Sequence, residues 1–271
     1  MTGPAAPNFD PIARLYRWME YLSFGPALQR CRTHFLPRLS CRSPALGTAL
    51  ILGDGDGRFL ARLLAANPHL TADAVDTSAA MLRQLTLRAA TTKTRLRIHH
   101  TSALTFAPTA AYDLIVTHFF LDCLTQPEVD TLAQRLACFT CPNALWLISD
   151  FRIPSGPMRQ PSCALIRLLY FAFRLLTGLR TTGLPDYAAT LTAAGFTNAA
   201  QHHSLAGLLT TQLWEYTPTM QLPPQRPRMP YPPDPVPDPE PPSPSLPEPD
   251  PGVFHHDPAK PGPEKQATPD L

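Results

Sequence analysis

The stretch that most constrains the fold runs from Ala49 to Gly57 and reads Ala-Leu-Ile-Leu-Gly-Asp-Gly-Asp-Gly. Its apolar beginning predicts a buried β-strand, and the three alternating glycines predict a tight turn directly after that strand. Helical spacing follows from Arg58 to Ala66, and a second apolar run ends at Asp76. The order strand, glycine turn, helix, strand and acidic residue is typical of an open α/β sheet.

This turn has the properties of a ligand-binding loop. Glycine tolerates positive φ and lets a ligand approach the backbone closely, and the following helix presents free N–H groups at its start. Asp76 follows Gly53 by 23 positions, about the spacing at which an acidic residue binds a ribose diol. A glycine-rich loop without a ligand is the alternative that the residues leave open.

The glycine spacing is G-x-G-x-G, and Arg58 stands where a dinucleotide fingerprint needs its third glycine. The spacing resembles the first motif of class I S-adenosylmethionine-dependent methyltransferases. The resemblance covers most of Asn8 to Tyr216 and includes Asp76-x-Ser78-x-x-Met81-Leu82, the strand-like run Tyr112 to His118, and the segment Leu184 to Phe196. It implies an α/β, Rossmann-like, seven-stranded, mostly parallel sheet with an antiparallel last strand and helices on both faces.

The resemblance also implies S-adenosyl-L-methionine as the cofactor and a set of site residues. His118 and Asp122, just after the fourth strand, are the candidate catalytic bases, and Asp150 at the end of the fifth strand is a similar one. The implied substrate pocket is lined by Phe119, Phe120, Tyr170 and Phe173. The implied cofactor-binding residues are Tyr16, Gly53, Asp54, Gly55, Gly57, Asp76, Thr77, Ser102, Ala103, Thr117 and His118.

Two positions depart from the family's pattern. Ile51 stands where an acidic residue usually precedes the first glycine by two positions, and Ser102 stands where an aspartate often meets the adenine amine. Asp54 or Asp56 could take over the role of the missing acidic residue. These departures favour weak or altered cofactor binding, without affecting the prediction of the fold.

Further helices are predicted before the first strand and after the fifth strand. Asn8 to Tyr21 and Ala27 to Leu36 have helical spacing, and Tyr16 is placed either over the cofactor or in the core. Cys163 to Leu179 predicts a long apolar helix after the fifth strand, which the resemblance interprets as a lid over the substrate. A helix that completes the core, or one that lies on a membrane surface, is an alternative.

Composition divides the chain into two parts, because 20 of its 34 prolines follow Thr217. We expect a methyltransferase-like domain over residues 1–217 and a proline-rich, disordered tail over residues 218–271. The tail is expected to be a solvated linker or a ligand for proline-recognising domains. A net charge of +2 gives no argument for a nucleic-acid partner. We further expect no signal peptide, no integral membrane segment, no metal site and a cytoplasmic location.

The resemblance therefore implies methyl transfer to a small, apolar molecule by in-line displacement. A non-catalytic binding or scaffold protein on the same fold is the alternative, and Ile51, Ser102 and the tail favour it. An NAD-linked or nucleotide-sugar enzyme is a weaker interpretation because of Arg58. The acceptor and its reacting atom are not specified by any motif.

Overall fold

The computed structural model describes residues 26–42, 46–177, 181 and 183–217. A seven-stranded sheet in the order β3-β2-β1-β4-β5-β7-β6 forms the centre of this part of the chain. Only β7 runs against its neighbours, so the sheet is mostly parallel, as predicted. The strands are β1 Thr48–Leu52, β2 Thr71–Asp76, β3 Leu96–His100, β4 Tyr112–His118, β5 Thr140–Phe151, β6 Phe196–Ser204 and β7 Leu209–Tyr216.

Helices cover both faces of the sheet. The core on one face is completed by the second, third and fourth helices, and the core on the other face by the fifth and seventh. The helices are α1 Pro26–Thr33, α2 Leu36–Cys41, α3 Arg58–Ala66, α4 Ala79–Arg88, α5 Gln126–Ala137, α6 Arg159–Thr177 and α7 Tyr187–Ala193. Among the described residues, no helix is long and apolar enough to cross a bilayer.

The continuous apolar run of β1 follows from burial on both faces. Ala49 and Ile51 pack in the core beneath α3, whereas Leu50 and Leu52 pack in the core on the other side. A strand with only one buried face would alternate apolar and polar residues, so the unbroken run is the signature of a central parallel strand. The predicted position of β1 and its glycine turn is confirmed.

The single helix expected over Ala27 to Leu36 is wrong, because two short helices occupy this region. Helix α1 ends at Thr33, and α2 begins at Leu36 with Pro37 in its first turn. Proline has no N–H to donate, and its ring collides with the carbonyl four residues earlier in a continuous helix. That carbonyl belongs to Thr33, which explains where the first helix ends.

The predicted helix over Asn8 to Tyr21 and the proline-rich segment 218–271 lie outside the described residues. Tyr16, expected to reach over a cofactor, lies there too. The lid-like helix predicted over Cys163 to Leu179 is present as α6 and starts four residues earlier than expected.

A buried carboxylate ties β2 to β3 and β4. Asp73 is 2% exposed and accepts hydrogen bonds from Arg97 at 2.6 and 2.7 Å, from His99 at 2.7 Å and from the Tyr112 hydroxyl at 2.9 Å. Burial by itself would raise the pKa of Asp73, but these hydrogen bonds outweigh it and hold the pKa below its usual value.

We expect Asp73→Asn to lower the free energy of unfolding by about 2 kcal/mol at neutral pH, because the amide leaves several donors poorly satisfied. The pKa is lower in the folded chain, so the carboxylate stabilises the fold above its unfolded pKa of about 3.9. That contribution is lost as the pH falls through the folded-state pKa, and the two proteins should then converge. Urea unfolding at several pH values measures this.

Glu215→Gln is the matched control for Asp73→Asn. Glu215 forms one ion pair with Arg42 at 3.3 Å, and both side chains are about one-third exposed. Exposed pairs contribute about 0–1 kcal/mol, so this variant should unfold almost like the wild type. Equal losses in both variants would contradict the importance of the buried network.

Candidate functional site

The glycine turn lies at the carboxyl edge of the parallel strands, between β1 and α3. Gly53, Gly55 and Gly57 have φ values of 66°, 61° and 79°, all in the left-handed region that other residues rarely adopt. Gly57 is also the residue that caps the start of α3. The three glycines of the sequence GDGDG therefore allow a specific backbone conformation with positive φ at every second residue.

The three glycines have different surroundings. A Cβ atom on Gly57 would lie 2.8 Å from the Cα atom of Leu85, and one on Gly53 would lie 2.5 Å from the Phe120 ring. A Cβ atom on Gly55 would meet nothing within 4 Å. The outer glycines allow close internal packing, whereas Gly55 leaves backbone accessible to a ligand.

Asp76 stands beside this turn. The β1–β2 ladder pairs Leu52 with Val75, and the Gly53 N–H donates to the Val75 carbonyl at 3.1 Å. Asp76 is half-buried, and its Oδ1 accepts from the Ser78 N–H at 2.8 Å. The carboxylate and the glycine turn predicted to act together are thus adjacent in the structure.

Asp54 points inward from the turn. Its Oδ2 accepts from the Leu60 N–H in the first turn of α3 at 3.0 Å, while its Oδ1 is buried without a hydrogen-bond partner among the described residues. Burial raises the pKa of Asp54 to about 7. Asp56, in contrast, is paired with Arg58 at 2.9 Å and Arg88 at 3.0 Å. Of the two loop carboxylates, Asp54 is the one with an unused buried acceptor.

The other residues predicted at this carboxyl edge lie in β1 or in the loops after β2 and β3. Ile51 is 1% exposed within the apolar core, so it brings no polar group to the turn. The Ser102 hydroxyl accepts from the Leu104 N–H at 3.2 Å in a local turn. Ala103 is buried, and the Thr77 carbonyl accepts a hydrogen bond from His100. Ser102, Ala103 and Thr77 are therefore at the expected edge, engaged mainly in local contacts.

The two predicted catalytic residues lie on different faces of the sheet. His118 is 2% exposed on the α3 side, and its ring meets Phe59 edge-on at 4.5 Å. Burial, together with the positive charge of Arg32, lowers the pKa of His118 well below its usual value. Neither ring nitrogen has a hydrogen-bond partner within the part of the chain that is described. The structure does not bring His118 and Asp122 together.

Thr117 points to the opposite face from His118, because side chains alternate along a strand. Its hydroxyl accepts from the Trp146 indole at 3.0 Å and is fully buried. The side chain expected to meet a cofactor is thus used to fix the core between β4 and β5.

Asp122 instead forms a buried acidic pair with Asp150. The Asp122 N–H donates to Asp150 Oδ2 at 3.3 Å, and the two carboxyls are close enough that each shifts the pKa of the other. They are 8% and 1% exposed. Two adjacent buried carboxyls do not both ionise, so the pair shares a proton. Burial raises the pKa of Asp122 to about 6, and burial with the neighbouring charge raises the pKa of Asp150 well above its usual value.

Two tyrosines lie close to this acidic pair. The Tyr170 hydroxyl of α6 donates to the Asp122 carbonyl at 2.9 Å. The charges of Asp150 and Asp122 both act on Tyr187 at the start of α7, whose pKa is raised first by burial and then by those charges. Phe173 is half-buried one turn after Tyr170 on the same helix. Helix α6 therefore does adjoin the loop after β4.

The other two predicted pocket residues have structural contacts. Phe119 has a φ of 52°, packs 5.3 Å from the Phe151 ring, and lies beneath the Arg32 guanidinium at 5.1 Å. Phe120 packs against Gly53, as described above. Phe119 thus closes the space under α1, and Phe120 lies next to the glycine turn, not in a separate pocket.

Asp122 and Asp150 were predicted as separate candidate bases, and Tyr187 was given no role. The signal for the acidic pair was present: Asp122 follows the carboxyl end of β4, and Asp150 lies at the carboxyl end of β5, the strand next to it. No sequence feature pointed to Tyr187, because α7 reaches this edge only through the tertiary fold.

Comparisons with known proteins agree with this architecture. Residues 50–145 match the family model described as a methyltransferase domain. No curated protein matches the chain. The matched residues include the glycine turn, Asp76, and both β4 and the acidic Asp122 that follows it.

Several solved structures are similar to the chain at low sequence identity. The N-methyltransferase NodS from Bradyrhizobium japonicum, in complex with S-adenosyl-L-homocysteine, is 19% identical with a TM-score of 0.53 and covers 71% of this chain and 88% of its own. CalO1, a methyltransferase in calicheamicin biosynthesis, in its S-adenosyl-L-homocysteine-bound form, is 21% identical with a TM-score of 0.55, covering 77% of this chain and 60% of its own.

A third similar structure, an O-methyltransferase family 2 protein from Planctomyces limnophilus in complex with apigenin, is 19% identical with a TM-score of 0.51. It covers 67% of this chain and 56% of its own. At these identities the likeness concerns the fold. Together with the family match over residues 50–145, it shows that the described part of the chain has the fold of the class I S-adenosylmethionine-dependent methyltransferases.

Proposed function

We propose that this protein transfers the methyl group of S-adenosylmethionine to a small molecule by in-line displacement. The observation that carries the proposal is the open face of Gly55 beside Asp76, at the carboxyl edge of the sheet. Two structurally similar proteins hold S-adenosyl-L-homocysteine, the product form of that cofactor. The cofactor supplies an activated methyl group on a positive sulfur.

The residues present at the edge fit this cofactor. Gly55 leaves room for the nucleoside against the backbone, and Asp76, whose Oδ1 accepts from the Ser78 N–H, places a carboxylate at the end of the neighbouring strand. A carboxylate in this position accepts hydrogen bonds from the two ribose hydroxyls.

Asp54 takes over the role of the acidic residue that usually stands at the position of Ile51. Its Oδ1 is a buried acceptor without a partner among the described residues, and such a group has a high cost unless it gains a donor. The ammonium of the cofactor's amino-acid part is a donor of the right charge. Binding it would favour the ionised form of Asp54, whose pKa is about 7 in the chain alone.

On the acceptor side, Asp122 is the residue placed to receive a proton. Its pKa of about 6 leaves it ionised at neutral pH, while its partner Asp150 keeps the shared proton. An acceptor O–H or N–H next to Asp122 would lose its proton as the methyl group is transferred. The Tyr170 hydroxyl of α6 binds the Asp122 carbonyl, and this aromatic neighbour favours an acceptor with an apolar body.

Calorimetric titration with S-adenosyl-L-homocysteine tests the cofactor part of the proposal. Binding heat with a one-to-one stoichiometry is expected. Hydrogen exchange should show protection of the backbone amides of Gly53 to Gly57. The absence of both heat and protection would reject the proposal.

We expect Asp76→Asn to weaken S-adenosyl-L-homocysteine binding by about tenfold, because a charge-assisted hydrogen bond to a ribose hydroxyl is lost. Asparagine keeps an acceptor for the Ser78 N–H, so the start of α4 should remain intact. The titration of the variant measures the change in affinity.

Asp113→Asn is the matched control for Asp76→Asn. Asp113 also accepts hydrogen bonds from backbone N–H groups, those of Gly47 and Thr48, but it does so at the opposite edge of the sheet. It should bind the ligand like the wild type. An equal loss of affinity in both variants would show that Asp76 acts only through the stability of the fold.

A further inference from the structure

The outer face of α6 is an unusually apolar surface for the described part of the chain. Nine large hydrophobic side chains are exposed among the described residues, and six of them lie within residues 153–175. Scattered single apolar residues are normal on a protein surface, but a contiguous group marks an interaction site. The six are Ile153, Met158, Leu165, Leu168, Phe171 and Leu175.

Helix α6 has two apolar faces. Its inner face, with Ile166 and Tyr170, packs onto the domain. The outer face carries Leu168, Phe171 and Leu175, which are 62%, 60% and 71% exposed. Spacings of three and four residues place these three on one stripe of the helix, opposite to the packed face. Packing of the domain therefore explains only one of the two apolar faces of the helix.

The charged side chains in this segment of the chain all have one sign. Between Asp150 and Asp186 the chain carries five arginines and no acidic residue. Within α6, Arg167 and Arg174 are seven positions apart, on one flank of the apolar stripe, and both are exposed. An apolar stripe of leucine and phenylalanine with arginines beside it is the pattern of helices that lie in the plane of a membrane surface.

We propose that the outer face of α6 docks onto an anionic lipid surface. Leu168, Phe171 and Leu175 would enter the boundary between headgroups and acyl chains, and Arg167 and Arg174 would contact lipid phosphates. A second copy of the chain fits this surface less well, because a two-fold pairing of α6 would bring arginines together without an acidic residue on the helix to oppose them. The proposal does not depend on methyl transfer.

Vesicle flotation with the full chain tests this proposal. The wild type should float with phosphatidylcholine vesicles that contain phosphatidylglycerol, less with phosphatidylcholine alone, and less as salt is added. The double variant Leu168→Asp/Phe171→Asp should lose this binding, because charged side chains cannot enter the acyl boundary. The matched control is Leu87→Asp, since Leu87 is 70% exposed on α4 and should float like the wild type.

A second variant separates the charge effect from any effect on folding. Arg167→Gln/Arg174→Gln changes only exposed side chains and should reduce partitioning onto anionic vesicles by roughly tenfold or more, with little change on neutral ones. Three results would overturn the proposal. One is a wild type that does not float. Another is aspartate variants that float normally. The third is a wild type that forms a dimer and does not float, together with a Leu168→Asp/Phe171→Asp variant that is a monomer.

Discussion

Replacing Gly57 with alanine is expected to lower the free energy of unfolding by about 3 kcal/mol or more. Two costs add at this position. An alanine at a φ of 79° adopts a left-handed conformation that costs about 1–2 kcal/mol. The new methyl group would also lie 2.7–2.9 Å from three atoms of Leu85, one of them the backbone Cα. Because Leu85 is in the middle of α4 and 2% exposed, it cannot move away without shifting that helix.

Gly55→Ala is the control that isolates the second cost. Gly55 has a similar φ of 61°, but a methyl group there meets no atom within 4 Å. We therefore expect a loss of only about 1–2 kcal/mol from the backbone conformation. Urea unfolding followed by circular dichroism compares the two variants. If both lost the same stability, the close contact between the glycine turn and α4 would be absent in solution.

The difference between these glycines shows which features of the site can be predicted from the sequence. The spacing of Gly53, Gly55 and Gly57 predicts the turn, because positive φ is a local property of the chain. It does not say which glycine faces a ligand and which faces Leu85 or Phe120. That distinction arises only when helix α4 and the loop after β4 pack against the turn.

The same limit applies to the acidic residues. Asp76 was predicted at the edge beside the turn because it ends β2, the strand that follows α3. A right-handed crossover through α3 places β2 next to β1. The pairing of Asp122 with Asp150 was not predicted. It depends on the adjacency of β4 and β5, which brings Asp122 of the loop after β4 next to Asp150 of β5, 28 residues later in the chain.

His118 illustrates a different difficulty. Its position at the carboxyl end of β4 is one where a catalytic base is expected. A strand, however, presents alternate residues to opposite faces of the sheet. The side chain lies under α3 against Phe59, with a pKa that keeps it neutral. A one-residue change in register would place it with Asp122, and sequence spacing alone does not fix that register.

Replacing Asp122 with asparagine is expected to reduce kcat for methyl transfer by about 10²–10⁴-fold, the range for loss of a general base. Asparagine has nearly the same shape but accepts no proton. Because the pKa of Asp122 is about 6, wild-type kcat/KM should fall as the pH drops below that value, where the carboxyl is protonated. The variant should lack this acid limb. Transfer of a labelled methyl group to a panel of small phenols and amines provides the measurement.

Asp150→Asn distinguishes a base at Asp122 from a general need for the acidic pair. Since Asp150 retains the shared proton, an amide N–H can replace its hydrogen bond to Asp122. We expect a decrease in kcat of about threefold to tenfold, with the acid limb still present near the pKa of Asp122. Both variants should bind S-adenosyl-L-homocysteine like the wild type, because neither carboxyl belongs to the glycine turn. If Asp150→Asn were as damaging as Asp122→Asn, or if Asp122→Asn kept the acid limb, the proton would leave the acceptor by another route.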